Sequence, residues 1–417
     1  MNKLIYLIFL LGVFFSPFTT FLPLGFNVSM YDIILISCFG LIIVTTAIQF
    51  EGYNKILSSK EYFLLILFVL GGSISAFNAA SFFGSTLIMV QYLFAILIQI
   101  IVISHILTYS KNIDKNLFGI LDTSIYALMV TLSIGVLAQL GLLPNSSEFF
   151  AGNGRLISVQ GNANSLAKYL VCFLPILLFY IDIKRKTLLS FFLLAMLIIN
   201  LFLTASFGGM AYALATFIYY YMIKSLFITK PIRFKNGEVF IVKKILNVRN
   251  VFIIFFSVAI VIYVFVNPPE IFSKRVLATD DLDGAGSYSL KVSLMKEALE
   301  LIVTKYGIIG MGLGSYPFES QYHTNVHNLY LLVFTESGVL GFVGLIGLLI
   351  YTFCISLRLI KHVGNTTKYI LIGMNSSLFG LLVSVITTPH TYSRSTWLLV
   401  ILLLCYTKHI QRKNFNF

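Results

Sequence analysis

Three short segments of this chain concentrate the residue types that do chemistry. The first is Arg155-Leu-Ile-Ser-Val-Gln-Gly161-Asn162-Ala-Asn164-Ser-Leu-Ala167. The second is Leu203-Thr204-Ala-Ser206-Phe-Gly208-Gly209. The third is His327-Asn328-Leu-Tyr-Leu-Leu-Val-Phe-Thr-Glu336-Ser-Gly338-Val-Leu-Gly341. An imidazole titrates near neutral pH, so His327 is suited to accept a proton there. Glu336 lies in an apolar stretch, where a carboxylate must be paired or functional. It either orients a basic residue or contacts a polar ligand. Asn162 and Asn164 either bond a ligand or cap a helix beginning near Ser165. His323 and His327 are four residues apart, but zinc needs a third ligand and no spacing supplies one. The run Asp281-x-Asp283 reads more simply as a solvated turn beside Gly284 and Gly286. No metal or cofactor is expected.

The elements that must position these residues are membrane helices. Of 417 residues, 58% are hydrophobic and 11% charged, with a mean hydropathy of +0.92. Soluble domains are about 45–50% apolar and about 25% charged. This composition excludes a soluble enzyme, a disordered chain and a disulfide-stapled domain. Apolar runs such as Leu64–Leu70 and Leu345–Ile350 do not alternate with polar residues, as the strands of a membrane β-barrel do. The expected fold is therefore an all-α polytopic membrane protein. Twelve spans are predicted, near 4–22, 31–49, 62–78, 87–107, 117–142, 165–183, 187–204, 209–228, 251–266, 329–357, 369–387 and 395–407. The long one at 329–357 should break at Glu336-Ser337-Gly338 into a short tilted helix and a full crossing. Residues 1–26 look like a signal peptide but lack a small-residue cleavage site, and are taken as the first helix. The four Cys fall within spans and read as packing residues.

Orientation follows from basic residues, which collect in cytoplasmic loops. Twelve spans put both termini on one side, and only eight of the 29 Lys and Arg fall opposite: Arg155, Lys168, Lys274, Arg275, Lys291, Lys296, Lys305 and Arg394. The termini are thus expected in the cytoplasm. The net charge of +13 suits anionic headgroups and calls for no nucleic acid. The expected organisation is helices one to nine over 1–266, a large external loop over 267–328, and helices ten to twelve over 329–417. Loops above about 12–15 residues are usually functional or disordered. This one carries a helical pattern near 289–303 and the glycines Gly307, Gly310, Gly312 and Gly314, so a structured cap is expected. Arg155, Arg275 and Arg394 lie near the external interface, where ionisable groups are costly. Their planar forks match a membrane-borne phosphate. Lys274, Lys296 and Lys305 read as surface charge balanced by nearby acids.

In order and spacing, the three segments resemble the O-antigen ligase/polymerase family. These are bacterial membrane glycosyltransferases whose donor is a polyprenyl-diphosphate-linked glycan. In that family an Arg precedes a G-N-x-N-x-x-A segment, and a Thr-x-Ser-Arg segment follows two helices later. A large external loop carries Arg residues and a G-x-G run, and H-N-x-x-L-x-x-x-x-E-x-G-x-x-G closes the pattern. Two positions depart from it: Phe207 stands where the family usually has Arg, and Lys291 where it often has Arg.

The resemblance implies a metal-independent glycosyl transfer on the external face of the bacterial plasma (inner) membrane. His327 would be the base or acceptor-positioning group. Arg155, Arg275, Lys291 and Arg394 would hold the diphosphate, and Asn162, Asn164, Asn328 and Glu336 would bind substrate. The favoured activity is polymerisation of lipid-linked repeat units of O-antigen or capsule type. The alternatives are a ligase with a lipid A-core acceptor and a flippase for lipid-linked oligosaccharide. Partners would be the lipid-linked donor and acceptor, the membrane, and other assembly proteins such as a chain-length regulator.

Overall fold

The computed structural model describes residues 2–18, 28–49, 58–110, 112–151, 154–228, 232–233, 239–240, 288–388 and 393–415. Those residues are almost entirely helical. The helices are α1 (Asn2–Phe15), α2 (Met30–Gln49), α3 (Ser59–Ser75), α4 (Phe82–Leu93), α5 (Gln99–Thr108), α6 (Ile113–Gln139), α7 (Ala163–Asp182), α8 (Thr187–Leu203) and α9 (Phe207–Phe227). After them come α10 (Tyr288–Leu301), α11 (Leu329–Leu359), α12 (Asn365–Ser384) and α13 (Arg394–Phe415). A π turn, Phe94–Ile98, joins α4 to α5 without a break. One two-residue antiparallel ladder pairs Ile232–Arg233 with Val239–Phe240. The predicted span at 251–266 lies outside the described residues, as does the loop from 267 to 287.

Among the described residues, six helical stretches are long and apolar enough to cross a membrane, and α1 and α8 are shorter apolar helices. Their outer faces are apolar: Leu4, Leu7 and Leu11 on α1 and Phe63, Ile66 and Leu70 on α3 are all exposed. Water would not tolerate such faces on this scale, whereas lipid does. One helix differs. In α7, 89% of the apolar window is buried, against 39–50% in the other five. It is the central helix, packed by α8, α9 and α12.

Polar residues at the start of apolar runs begin the helices. Asn112 caps α6 through Lys115 N at 3.0 Å, and Ser206 caps α9 through Gly209 N at 3.2 Å. Ser58 and Glu61 form a reciprocal capping box on α3. Such caps satisfy amides that a helix leaves without partners.

The long predicted span at 329–357 is α11, and it breaks where expected. Gly338 has φ 65° and ψ −172°, a conformation closed to residues with a Cβ. The freed amide of Val339 bonds Gly307 O at 3.0 Å. Beyond the break α11 lies tightly against α3: a Cβ on Gly71 would sit 2.2 Å from Gly341 N. Small residues give this close backbone approach between membrane helices. The predicted helix at 289–303 is α10, which ends in a second π turn at Ile302–Tyr306. Leu294 and Ala298 of α10 bury against Tyr306, Met311, Tyr316 and Leu332, so the cap has a small core of its own.

Candidate functional site

The first two sequence segments form one cluster. Asn162 accepts from Asn164 N at 2.8 Å and Ser165 N at 3.4 Å, which starts α7. Of the two readings open for Asn162, the cap is the one realised. Asn164 turns the other way. Its side-chain oxygen accepts from Arg155 Nη2 at 2.8 Å and from Ser206 Oγ at 3.3 Å. Arg155 Nε also donates to Thr204 O at 2.7 Å. Leu156 N bonds Leu203 O at 3.0 Å, so the backbone before α7 runs beside the end of α8. The half-buried Arg155 thereby joins the starts of α7 and α9.

The third segment meets the cap. Asn328 accepts from Leu331 N at 3.0 Å and so caps the start of α11. His327, half-buried, stands just before that cap. Burial holds its imidazole below the ordinary value, and the positive charge of Lys291 on α10 lowers it further. Both effects favour the neutral ring, which is the form that accepts a proton. The structure therefore brings Lys291 and His327 into one electrostatic neighbourhood, although 35 intervening positions separate them.

Glu336 is buried, and its partners are neither a basic residue nor open space. Its carboxylate accepts from Tyr316 N at 3.4 Å and from the Gly314 amide. Its carbonyl accepts from Gly312 N at 2.9 Å, and Thr335 O from Met311 N at 2.9 Å. Glu336 fastens the glycine run to α11 immediately before the break.

Arg394 is paired. Its Nε donates to both oxygens of Asp32, at 2.9 and 2.8 Å, and its Nη2 lies 2.7 Å from Oδ2. Ser29 N and Oγ bond the same carboxylate at 2.8 and 3.0 Å. The guanidinium fork ties α13 to α2. The spacing could not have revealed this, because the partner lies 362 positions away in sequence. Arg275 lies outside the described residues, as do Asp281 and Asp283. Phe207 is an exposed first residue of α9. His323 is an exposed residue bonded to Pro317 O at 3.3 Å. Lys305 pairs with Glu319 at 3.3 Å, in keeping with surface charge.

The two clusters meet at the end of α12. Leu329 N, two residues after His327, bonds Val385 O at 2.9 Å. Two residues on, Thr387 bonds Tyr212 of α9, beside Gly208 of the second segment. Between them lies a residue that motif reading passed over. Lys168 is on the same face of α7 as Asn164, one turn deeper. It is 3% exposed, and its side-chain nitrogen has no hydrogen-bond partner among the described residues. It lines a crevice with Leu329, Leu345, Val385, Thr396 and Trp397. The signal in the sequence was its placement: a lysine six residues into an apolar helix is costly unless used.

In comparisons with known proteins, no family model matches this chain and no curated protein matches it significantly.

Proposed function

We propose that the chain is an integral-membrane glycosyltransferase, transferring a glycan from a polyprenyl diphosphate carrier to an acceptor hydroxyl. The observation that carries this reading is convergence. Three segments spread over 155–341 meet around the end of α12: Arg155 and Asn164 join the second segment at Ser206, Tyr212 of α9 bonds Thr387, and Leu329, two residues after the neutral-favoured imidazole of His327, bonds Val385. In this reading the bundle has twelve spans, both termini are cytoplasmic, and the motif end faces outward.

The chemistry divides accordingly. The acceptor oxygen forms a bond to the anomeric carbon while the bond from that carbon to the diphosphate oxygen breaks. His327 takes the hydroxyl proton, as a base poised near neutrality does. The lipid diphosphate leaves with the bonding electron pair. It needs no proton, only positive charge, which Arg155 and Lys291 supply. Asn164 and Ser206 hold Arg155 in place, while Glu336 and the break at Gly338 hold the glycine run against α11. The acceptor is taken to be the sugar end of a second lipid-linked unit, which makes the activity a polymerisation.

The test is reconstitution of the purified chain in liposomes with a polyprenyl-diphosphate-linked oligosaccharide. Lengthened lipid-linked glycan and free polyprenyl diphosphate are expected. Translocation of the lipid-linked oligosaccharide with no new glycosidic bond would overturn the reading.

A further inference from the structure

We propose that the turn between α3 and α4, together with Ile308 and Ile309 of the cap, is an interfacial membrane anchor that seats the cap among lipid headgroups at the motif end of the bundle. This anchor is independent of the glycosyltransferase reading. Phe77, Phe82 and Phe83 are 81, 56 and 75% exposed, and Ile308 and Ile309 are 80 and 47% exposed. Water tolerates few such side chains in one place, so together they call for an apolar partner.

The two groups adjoin one another. Asn78, next to Phe77, donates through Nδ2 to the carbonyl of Gly310, next to Ile309, at 3.0 Å. Ala80 N bonds Ser315 Oγ at 3.2 Å, and a Cβ on Gly312 would sit 2.3 Å from that of Ala79. The glycine run thus lies against the turn. Its other neighbour is the break in α11, where a Cβ on Gly338 would meet Ile308 O at 2.4 Å. Each of these points falls where an apolar stretch ends. Ser59–Asn78 is 20 residues long, about what a hydrocarbon core needs, and Phe77 is its last residue but one. Phe82 and Phe83 open the next stretch, Phe82–Thr108. Ile308 and Ile309 adjoin the break beyond which α11 runs on to Leu359.

Lipid, rather than a protein, is the partner, because the patch continues the lipid-facing surface. Phe63, Ile66, Leu70, Ile74 and Phe77 follow one another at helical spacing, and all are exposed. The stripe does not stop with α3 but runs on into the turn. Nothing in the turn seeks water either: no Asp, Glu, Lys or Arg occurs between Glu61 and Lys111. On the cap, charge returns at Lys305, three residues before Ile308, which pairs with Glu319 at 3.3 Å. Apolar tips beside a lysine match segments that lie in the interface, with Phe and aliphatic side chains at the acyl boundary and Lys among the headgroups. Anchored there, the cap holds Lys291 and His327 at the membrane surface.

Tryptophan quenching by brominated lipid tests the anchor. The full chain is reconstituted in phosphatidylcholine vesicles whose acyl chains carry bromine either near the headgroup or near the bilayer centre. Phe83→Trp and Ile308→Trp place the probe in the patch, and Ile66→Trp, midway along α3, is the deep reference. Emission from Trp397, the natural tryptophan and a buried one, is subtracted. All three substituted positions are exposed, so the variants should melt with the parent chain, and Phe77→Trp takes the place of Phe83→Trp should that one melt lower. The shallow bromines are expected to quench positions 83 and 308 by about twofold or more, and more than the deep ones do, as burial of about 5–10 Å requires. The reverse order is expected at position 66. Quenching of 83 and 308 by aqueous iodide, with none by either lipid, would overturn the anchor. Shielding of both from iodide and lipid alike, with 66 still quenched by lipid, would put a protein on the patch and overturn it too. Lipid quenching at 83 but not at 308 would overturn the cap's share in it. None of these outcomes turns on glycan transfer.

Discussion

At the end of the bundle remote from the motifs, buried cations come with carboxylates. Lys224 of α9 lies 2.5 Å from Asp182 at the end of α7. Lys408 of α13 pairs with Glu61, which is completely buried at the start of α3. The partly exposed Arg185 is paired as well: it lies 2.6 Å from Asp122 and sits over the ring of Phe118. At the motif end one cation follows the same rule, Arg394 with Asp32. Arg155 donates to a carbonyl and to an amide oxygen, and Lys168 has no hydrogen-bond partner among the described residues. Neutralised pairs serve to hold helices together, since removing one partner strands the other in a buried position. The two ends thus treat their cations differently.

The comparison can be broken in several ways. The largest effect belongs to the proposed base. His327→Ala should lower glycan transfer by about 10²–10⁴-fold, the usual range for general acid–base catalysis, with membrane insertion intact. Polymer formed at the wild-type rate in the liposome assay would remove His327 from the chemistry.

Next come the paired cations. Lys408→Met strands Glu61 in a buried position, and Lys224→Met does the same to Asp182, each at a cost of about 3–5 kcal/mol. Thermal unfolding in detergent should show a large loss for both. Lys168→Met strands no partner and should leave the melting temperature unchanged or higher. A loss for Lys168→Met as deep as for Lys408→Met would mean that both ends use their cations alike.

Glu336→Gln is a smaller test. It weakens the carboxylate that accepts from the Gly314 and Tyr316 amides, and a buried donor left short of a partner costs about 1–3 kcal/mol. Stability should fall by that order, and transfer should fall with the folded fraction alone. Transfer lost in full from stably folded protein would give Glu336 the substrate contact that its bonds argue against.

The smallest effect sharpens the motif end. His327 is held below the ordinary imidazole value, so the neutral base persists into mildly acidic solution and activity falls only as pH drops through that lowered value. Lys291→Met removes one of the two causes. The acid limb of the pH–rate profile should then move up toward the ordinary value, while Lys291→Arg leaves it in place. An unmoved limb in Lys291→Met would mean that the two groups do not interact.

Much of the fold was legible in advance, because lipid imposes length and apolarity on every helix and polar residues mark the starts. Asn162, Ser206 and Asn328 sit before apolar runs, and each caps a helix. Gly338 follows a carboxylate inside a long apolar stretch, and the break falls there. The site was legible less evenly. Arg155 and Asn164 are close in sequence and close in space. Arg394 looked like the other outside cations until its aspartate emerged from a helix at the far end of the chain. Glu336 looked like a ligand because the backbone amides that satisfy it belong to a loop whose path spacing does not encode. Lys168 is grouped with the outside cations and given no role, although its place six residues into an apolar helix marks it out; which groups surround it depends on helices distant in sequence.

The amino-acid order alone determined that this chain is helical, that its helices are apolar enough for a membrane, and where several begin and one breaks. Those properties depend on single residues and their near neighbours: a hydroxyl or amide before an apolar run, a glycine where φ must be positive. Which cations are paired with carboxylates was decided only by the tertiary structure. Charge pairing is set by distances across the bundle, between residues that may lie hundreds of positions apart along the chain.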